Sequence, residues 1–202
     1  TPHGYFYSAN TFCTAEHGGT HLDAPVHFAE GKRSTEQIPV EQLVAPAVVL
    51  DVSQKAAADA DYRLTRQDVL DFEAAHQRIA SGTIVLVRTG WSSRWPRVKA
   101  YLGDDTPGDA TRLSLPGFGE DAARLLVEDR RAGVLGIDTA SLDYGRSQDF
   151  LTHRIAAAAD VPVRTLLAGF RRFRDITPMQ YLRDVRLGQA RDLLRRAPAG
   201  SS

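Results

Sequence analysis

Three short runs of aliphatic and β-branched residues constrain the fold of this chain more than any other feature. They span residues 47–52, 83–88 and 133–138, and Pro, Gly and Ser residues bound them. Runs that are apolar at nearly every position are typical of parallel strands buried on both faces of a sheet. The sequence therefore predicts a central parallel sheet.

Helical patterns lie between these runs. Thr65 can cap a helix over residues 66–80, and a second helix is predicted over residues 118–131, ahead of Gly133. The stretch 91–116 contains two Trp and three Pro residues and is predicted to be a long loop. Strands that alternate with helices indicate an α/β fold.

The formal net charge of zero hides an acidic and a basic part of the chain. Residues 1–150 hold 15 Lys and Arg against 21 Asp and Glu, whereas residues 151–202 hold 10 against 4. The basic part is predicted to consist of three helices: one that begins near residue 155, a second over residues 163–173 and a third that follows in sequence. We therefore expect an α/β domain over residues 1–154 and a small all-α segment over residues 155–202.

Neither membrane insertion nor secretion is indicated. No apolar run approaches the ~18–20 residues that cross a bilayer, and the first residues lack the pattern of a secretory signal. The single cysteine, Cys13, cannot form an internal disulfide, which fits a reducing compartment. We expect a cytoplasmic protein without a membrane partner.

Four chemically active side chains lie close together near the start of the chain. His17, His21, Asp23 and His27 are separated by even numbers of residues, and neighbouring Gly and Pro residues disfavour a helix. In an extended segment these side chains would share one face. Two imidazoles and a carboxylate are a common ligand set for a catalytic divalent metal, which leaves His27 for proton transfer. The alternative is a turn-rich loop with surface or hydrogen-bonded histidines.

The segment 17–28, His-Gly-Gly-Thr-His-Leu-Asp-Ala-Pro-Val-His-Phe, closely resembles the signature of the cyclase family of metal-dependent hydrolases, which includes bacterial kynurenine formamidases (arylformamidases) and isatin hydrolases. The resemblance continues through residues 7–12, 88–91 and 136–143 and covers about residues 1–155. It implies a swivelling β/β/α fold, hydrolysis of an amide or lactam bond, and assembly as a homodimer or tetramer.

The resemblance also implies roles for individual residues. His17, His21 and Asp23 would bind zinc or manganese, with Asp23 bridging a second ion in two-metal members. His27 would donate and accept the proton, and His153 matches a further ligand of the second metal.

Two departures from the family pattern stand out. The opening strands of the family would lie before residue 1, so we expect an N-terminally truncated domain. Formamidases carry a metal-bridging Glu where this chain has Thr165. Because a hydroxyl replaces a bridging carboxylate poorly, a second metal should bind far more weakly than the first.

The basic segment shows a different resemblance. From residue 155 onward the sequence resembles the second helix-turn-helix of AraC-type transcriptional regulators, most specifically in its Arg-Thr-Leu-x3-Phe and Thr-Pro-x2-Tyr-Leu-x3-Arg-Leu patterns. The resemblance implies that Arg164, Arg171 and Arg172 contact DNA phosphates. Since AraC-type domains carry two such units and this chain has one, we expect weak, nonspecific DNA binding at most.

Three hypotheses follow. The first is a metal-dependent hydrolase that acts on a small-molecule amide or lactam, similar to an arylformamidase, which converts N-formylkynurenine to kynurenine and formate in tryptophan catabolism. The second is an AraC-type DNA-binding regulator whose front domain senses a small molecule. The third is an inactive fusion in which neither part is complete.

Overall fold

A computed structural model of the protein describes residues 4, 6–11, 13, 16–106 and 111–165. Its strands are β1 (His21–Asp23), β2 (Ala47–Asp51), β3 (Arg63–Leu64), β4 (Ile84–Arg88), β5 (Gly117–Phe118), β6 (Val134–Ile137) and β7 (Val163–Thr165). Five of them form a mixed sheet in the order β1-β7-β6-β4-β2, and β3 pairs with β5. Strands β7, β6, β4 and β2 run parallel, whereas β1 is antiparallel to β7.

The helices are α1 (Val40–Leu43), α2 (Ser53–Ala58), α3 (Arg66–Ala75), α4 (Val98–Leu102), α5 (Glu120–Arg124) and α6 (Leu151–Ala158). The chain continues from α5 as a π-helix over Leu125–Asp129, and 3-10 turns span Pro25–His27, Thr35–Gln37 and Trp91–Arg94. Among the residues that the structure describes, no helix has the length and hydropathy needed to cross a membrane.

The three predicted strands are confirmed as β2, β4 and β6. All four residues of β6 are buried, as expected for a strand at the centre of a covered parallel sheet. Strand β2 differs because it lies at the edge of the sheet: Leu50 is buried, but Val49 on the opposite face is 52% exposed. Burial on both faces therefore holds for the centre of the sheet and not for its edge.

The predicted helices are present but shorter than the patterns suggested. Thr65 caps α3 through a capping box with Asp68. The helix ends at Ala75 rather than residue 80, because the backbone leaves helical geometry at His76 and the Glu73 carboxylate accepts a hydrogen bond from the Ile79 amide.

Two further predictions need correction. The helix predicted over 118–131 begins at Glu120, since Phe118 pairs in β5. The stretch 91–116, predicted to be loop, contains a 3-10 turn and α4, where the Trp91 indole donates a hydrogen bond to the Tyr101 carbonyl.

The prediction of a helix over 163–173 is wrong at its start. Val163 and Thr165 are buried in β7, which fills the position between β1 and β6, so long-range pairing overrides the local helical pattern. Ile155 and Ala156 of α6 also pack in the buried apolar cluster that includes residues of β4 and β6. The α/β body thus continues through Thr165. Whether the chain divides into domains at residue 154 stays a prediction, and the remainder of the proposed helix-turn-helix lies outside the described residues.

Candidate metal centre

Strand β1 places two of the predicted ligands. His21 and Asp23 are two residues apart in β1, so their side chains share one face. The antiparallel register sets His21 opposite Thr165 and Leu22 opposite Arg164. Directly opposed residues project to the same side of a sheet, which puts Thr165 beside the metal-ligand candidates.

The Asp23 carboxylate is the centre of the cluster. It is only 7% exposed. Its Oδ1 lies 2.6 Å from His17 Nδ1 and 3.2 Å from His21 Nε2, and its Oδ2 lies 3.6 Å from His153 Nε2. Three possible ligand atoms lie within 4.8 Å of one another, one from each of His17, His21 and Asp23. Three imidazoles therefore surround one buried carboxylate.

The route by which these residues meet differs from the sequence prediction. Between His17 and His27 only residues 21–23 form a strand. His17 reaches Asp23 from the bend before β1, where Gly19 adopts a positive φ of 70°. His27 lies in the 3-10 turn after β1, and its ring stacks on the His17 ring at a centroid distance of 4.0 Å. Even spacing explains the pair 21 and 23, whereas turns bring in the other two histidines.

Further hydrogen bonds hold two of the imidazoles in a form that can bind a metal. His21 Nδ1 lies 3.0 Å from the Gly19 carbonyl oxygen, and His153 Nδ1 lies 2.5 Å from Asp143 Oδ2. Because these oxygens only accept hydrogen bonds, each Nδ1 carries the hydrogen and each Nε2 faces Asp23. Metal-binding histidines commonly donate their second N–H to such oxygens. The side chains therefore fit a divalent cation.

The electrostatics of the cluster favour a cation. Burial alone would raise the pKa of Asp23, but the neighbouring imidazoles of His153 and His21 hold this pKa well below its usual range. The neighbouring Asp23 carboxylate raises the pKa of His21. Burial, followed by the charge of the neighbouring His17, lowers the pKa of His27. Asp23 is therefore an ionised carboxylate, and His27, whose ring stacks on that of His17, is the histidine that is more easily left neutral.

Asp143 is a site residue to which the sequence analysis gave no role. It is 3% exposed, and besides the His153 ring it accepts hydrogen bonds from the Thr152 and His153 amides at the start of α6. Burial opposes ionisation, but the hydrogen bond from His153 lowers the pKa of Asp143. No periodicity marks such a residue; the only sequence signal was its place at the end of the 136–143 resemblance.

Of the residues predicted to contact DNA, Arg164 is the one that the structure describes. It is exposed on β7, on the face of the sheet opposite to Thr165. Arg171 and Arg172 lie outside the described residues. The AraC-type resemblance and DNA binding stay predictions, which a mobility-shift assay at low and moderate salt would test.

Two curated proteins resemble this chain over part of its length. The isatin hydrolase of Roseibium aggregatum is 36% identical over 134 residues, which are 64% of this chain and 49% of that protein. The kynurenine formamidase of Salinibacter ruber is 32% identical over 90 residues, which are 45% of this chain and 40% of that protein. The chain spans about half the length of these curated relatives.

The solved structures and a family model agree with these matches. The crystal structure of an isatin hydrolase bound to the product analogue thioisatinate matches with a TM-score of 0.70 and 30% identity, covering 79% of this chain and 62% of that chain. This likeness confirms a cyclase-like α/β fold. The model of the Cyclase family, described as "Putative cyclase", matches residues 1–144. This chain therefore belongs to the cyclase family, and its curated relatives are hydrolases.

Proposed function

We propose that the protein is a metal-dependent hydrolase that cleaves an amide or lactam bond at the cluster around Asp23. The observation that carries this proposal is one buried carboxylate with three imidazoles around it, two of them fixed by a second hydrogen bond. The kinship with isatin hydrolase and kynurenine formamidase supports the reaction class.

The ligand set favours zinc or manganese. Two imidazole nitrogens from His17 and His21 and one oxygen from Asp23 leave coordination positions open. A divalent cation bound there would supply Lewis acidity, which lowers the pKa of water and polarises a carbonyl group. His153 faces the other oxygen of Asp23, where it could help to hold a weaker second cation.

His27 is the proposed proton carrier. It is exposed, stacked on His17, and its lowered pKa keeps a neutral ring available near neutral pH. A neutral imidazole can accept a proton from the attacking water and return it to the leaving nitrogen. The protein would thereby convert an N-formyl aromatic amine, such as N-formylkynurenine, to the free amine and formate.

Metal content and hydrolysis measured on the same samples test this proposal. Purified protein is incubated with zinc or manganese, desalted and analysed by mass spectrometry for metal, and hydrolysis of formanilide and isatin is followed by chromatography. We expect about one tightly held ion per chain and hydrolysis of at least one amide.

A matched pair of variants supplies the control. His21→Ala should lose the ion and the activity. His76→Ala removes an exposed histidine next to Phe72 at the end of α3 and should change neither. Protein that retains no metal, or His21→Ala protein that binds metal as well as the wild type, would refute the proposed site.

A further inference from the structure

The central sheet has one face that packs against helices and one that is largely uncovered. On the first face, residues of α3, α5 and α6 join strand residues in one buried apolar cluster. On the second, which we call the open face, the register aligns one residue from each strand: Val49, Leu86, Gly136, Arg164 and Leu22. Of these five residues, only Gly136 is fully buried.

The connections between the parallel strands explain this asymmetry. The chain passes from β2 to β4, then to β6 and then to β7, and each step moves one strand in the same direction across the sheet. Because such crossovers are right-handed in nearly all proteins, helices that connect strands in one direction all lie on the same face. The described connections between these strands therefore supply no helix layer to the open face.

The open face is apolar enough to need a cover. Val49 is 52% exposed, and Leu86 is only partly buried. A groove of about 320 Å³ on this face is lined mainly by Leu22, Leu43, Ile84 and Val134. Parallel sheets occur almost only with both faces covered, and contiguous exposed apolar patches mark surfaces at which other elements pack. A further layer is therefore expected on the open face.

We propose that residues 166–202 fold back across the open face and form the second layer over the sheet. This segment directly follows Thr165, the last residue of β7, and β1 and β6 already occupy both positions beside β7. No further strand can therefore be added next to β7. Helices already cover the other face of the sheet. Among the described parts of the sheet, the open face is the apolar surface that is left for the chain that leaves Thr165.

The length and composition of residues 166–202 suit such a layer. Five strands span ~20 Å across a sheet, and a helix of ~13 residues has the same length, so 37 residues suffice for two such helices and their connections. The segment holds six Leu, two Phe, one Ile, one Met, one Val and one Tyr, which can be buried against the groove. Its 8 Arg against 3 Asp also complement residues 1–165, which hold 17 Lys and Arg against 22 Asp and Glu.

Photo-crosslinking of the full chain tests the proposal. Val49 is replaced by benzoylphenylalanine, a residue that on irradiation forms a covalent bond to a C–H group in contact with it. Crosslinked peptides are then identified by mass spectrometry. We expect crosslinks from position 49 to residues 166–202, in protein that runs as a monomer on a denaturing gel. The same probe in place of Val98 of α4, which is 45% exposed and lies outside the sheet, should give about fivefold fewer of these crosslinks.

A second probe position keeps the test decisive if the first variant does not fold. Val44 is 78% exposed and follows Leu43 of the groove, so we expect the same crosslinks from position 44. Far-UV circular dichroism verifies that each variant folds. If the variant at position 49 unfolds, position 44 decides.

Three results would overturn the proposal. Crosslinks from both positions that all lie within residues 1–165 would leave the open face without this cover. A crosslinked dimer on the gel would assign the face to a second copy of the chain. Crosslinks to residues 166–202 that are equally frequent from position 98 would mean that the segment contacts the surface without preference. None of these results depends on hydrolysis, so they leave the proposed function to its own test.

Discussion

Replacing Asp143 tests how strongly its buried hydrogen bonds stabilise the start of α6, which carries His153 of the candidate metal centre. This carboxylate accepts hydrogen bonds from the Thr152 amide at 2.9 Å, the His153 amide at 3.2 Å and His153 Nδ1 at 2.5 Å. All three donors are in buried residues. Asp143→Ala would leave them without this acceptor in a place that water reaches poorly.

The size of the effect follows from these three bonds. A buried donor that loses its partner costs about 1–3 kcal/mol, so the loss of three partners in Asp143→Ala should lower the free energy of unfolding by at least about 3 kcal/mol. Asp143→Asn keeps an acceptor oxygen and the same shape, and should cost about 1–2 kcal/mol. The control is Asp149→Asn, an exposed carboxylate that accepts a hydrogen bond from Ser147; it should stay within about 0.5 kcal/mol of the wild type.

Equilibrium unfolding in urea, followed by far-UV circular dichroism on metal-free protein, measures these differences. We expect the order Asp143→Ala, Asp143→Asn, Asp149→Asn, from least to most stable. A loss below about 1 kcal/mol for Asp143→Ala would mean that the three bonds stabilise α6 far less than buried bonds should. A loss for Asp149→Asn equal to that for Asp143→Ala would refute the reasoning from burial.

Two further substitutions probe other parts of the structure. Thr165→Glu would set a carboxylate opposite His21, and we expect zinc stoichiometry by mass spectrometry to rise from about one towards two ions per chain; an unchanged stoichiometry would contradict the proposed weak second position. Glu73 accepts two hydrogen bonds from Arg130, and these bonds lower the pKa of Glu73. The ionised Glu73 therefore contributes stability above about pH 4.5, and this contribution is lost as the pH falls through the pKa of Glu73 in the folded state. Glu73→Gln should therefore lower the free energy of unfolding by about 1–3 kcal/mol at pH 7. In urea titrations the difference in this free energy between variant and wild type should become smaller at pH 3.5. A difference that stays the same at both pH values would exclude the charge of Glu73 as its cause.

The sequence was informative where local chemistry decides the structure. The aliphatic runs located β2, β4 and β6, because short β-branched and aliphatic runs bounded by Pro, Gly and Ser favour strands wherever they lie in the sheet. Thr65 marked the start of α3, since its hydroxyl caps the helix whatever packs against it. The density of histidines located the cluster around Asp23.

The sequence was misleading where distant pairing decides. Residues 163–165 are too few for their alternation to predict a strand, and they become β7 because β1 and β6 provide partners on both sides. Even spacing suggested one extended face from His17 to His27, but turns place both of these residues. Asp143 depends on three bonds to residues nine and ten positions away, a relation that no periodic pattern records.

The pairing of β1 with β7 has a consequence for the order in which the protein is made. During synthesis His21 and Asp23 leave the ribosome about 140 residues before Val163–Thr165, the strand that holds them. Strand β1 lies at the edge of the sheet with β7 as its neighbour, so a nascent chain has these two candidate ligands long before it has the strand that supports them. Among the described strands, the pair that supports the candidate metal centre can therefore form only after β2, β4 and β6 have been made.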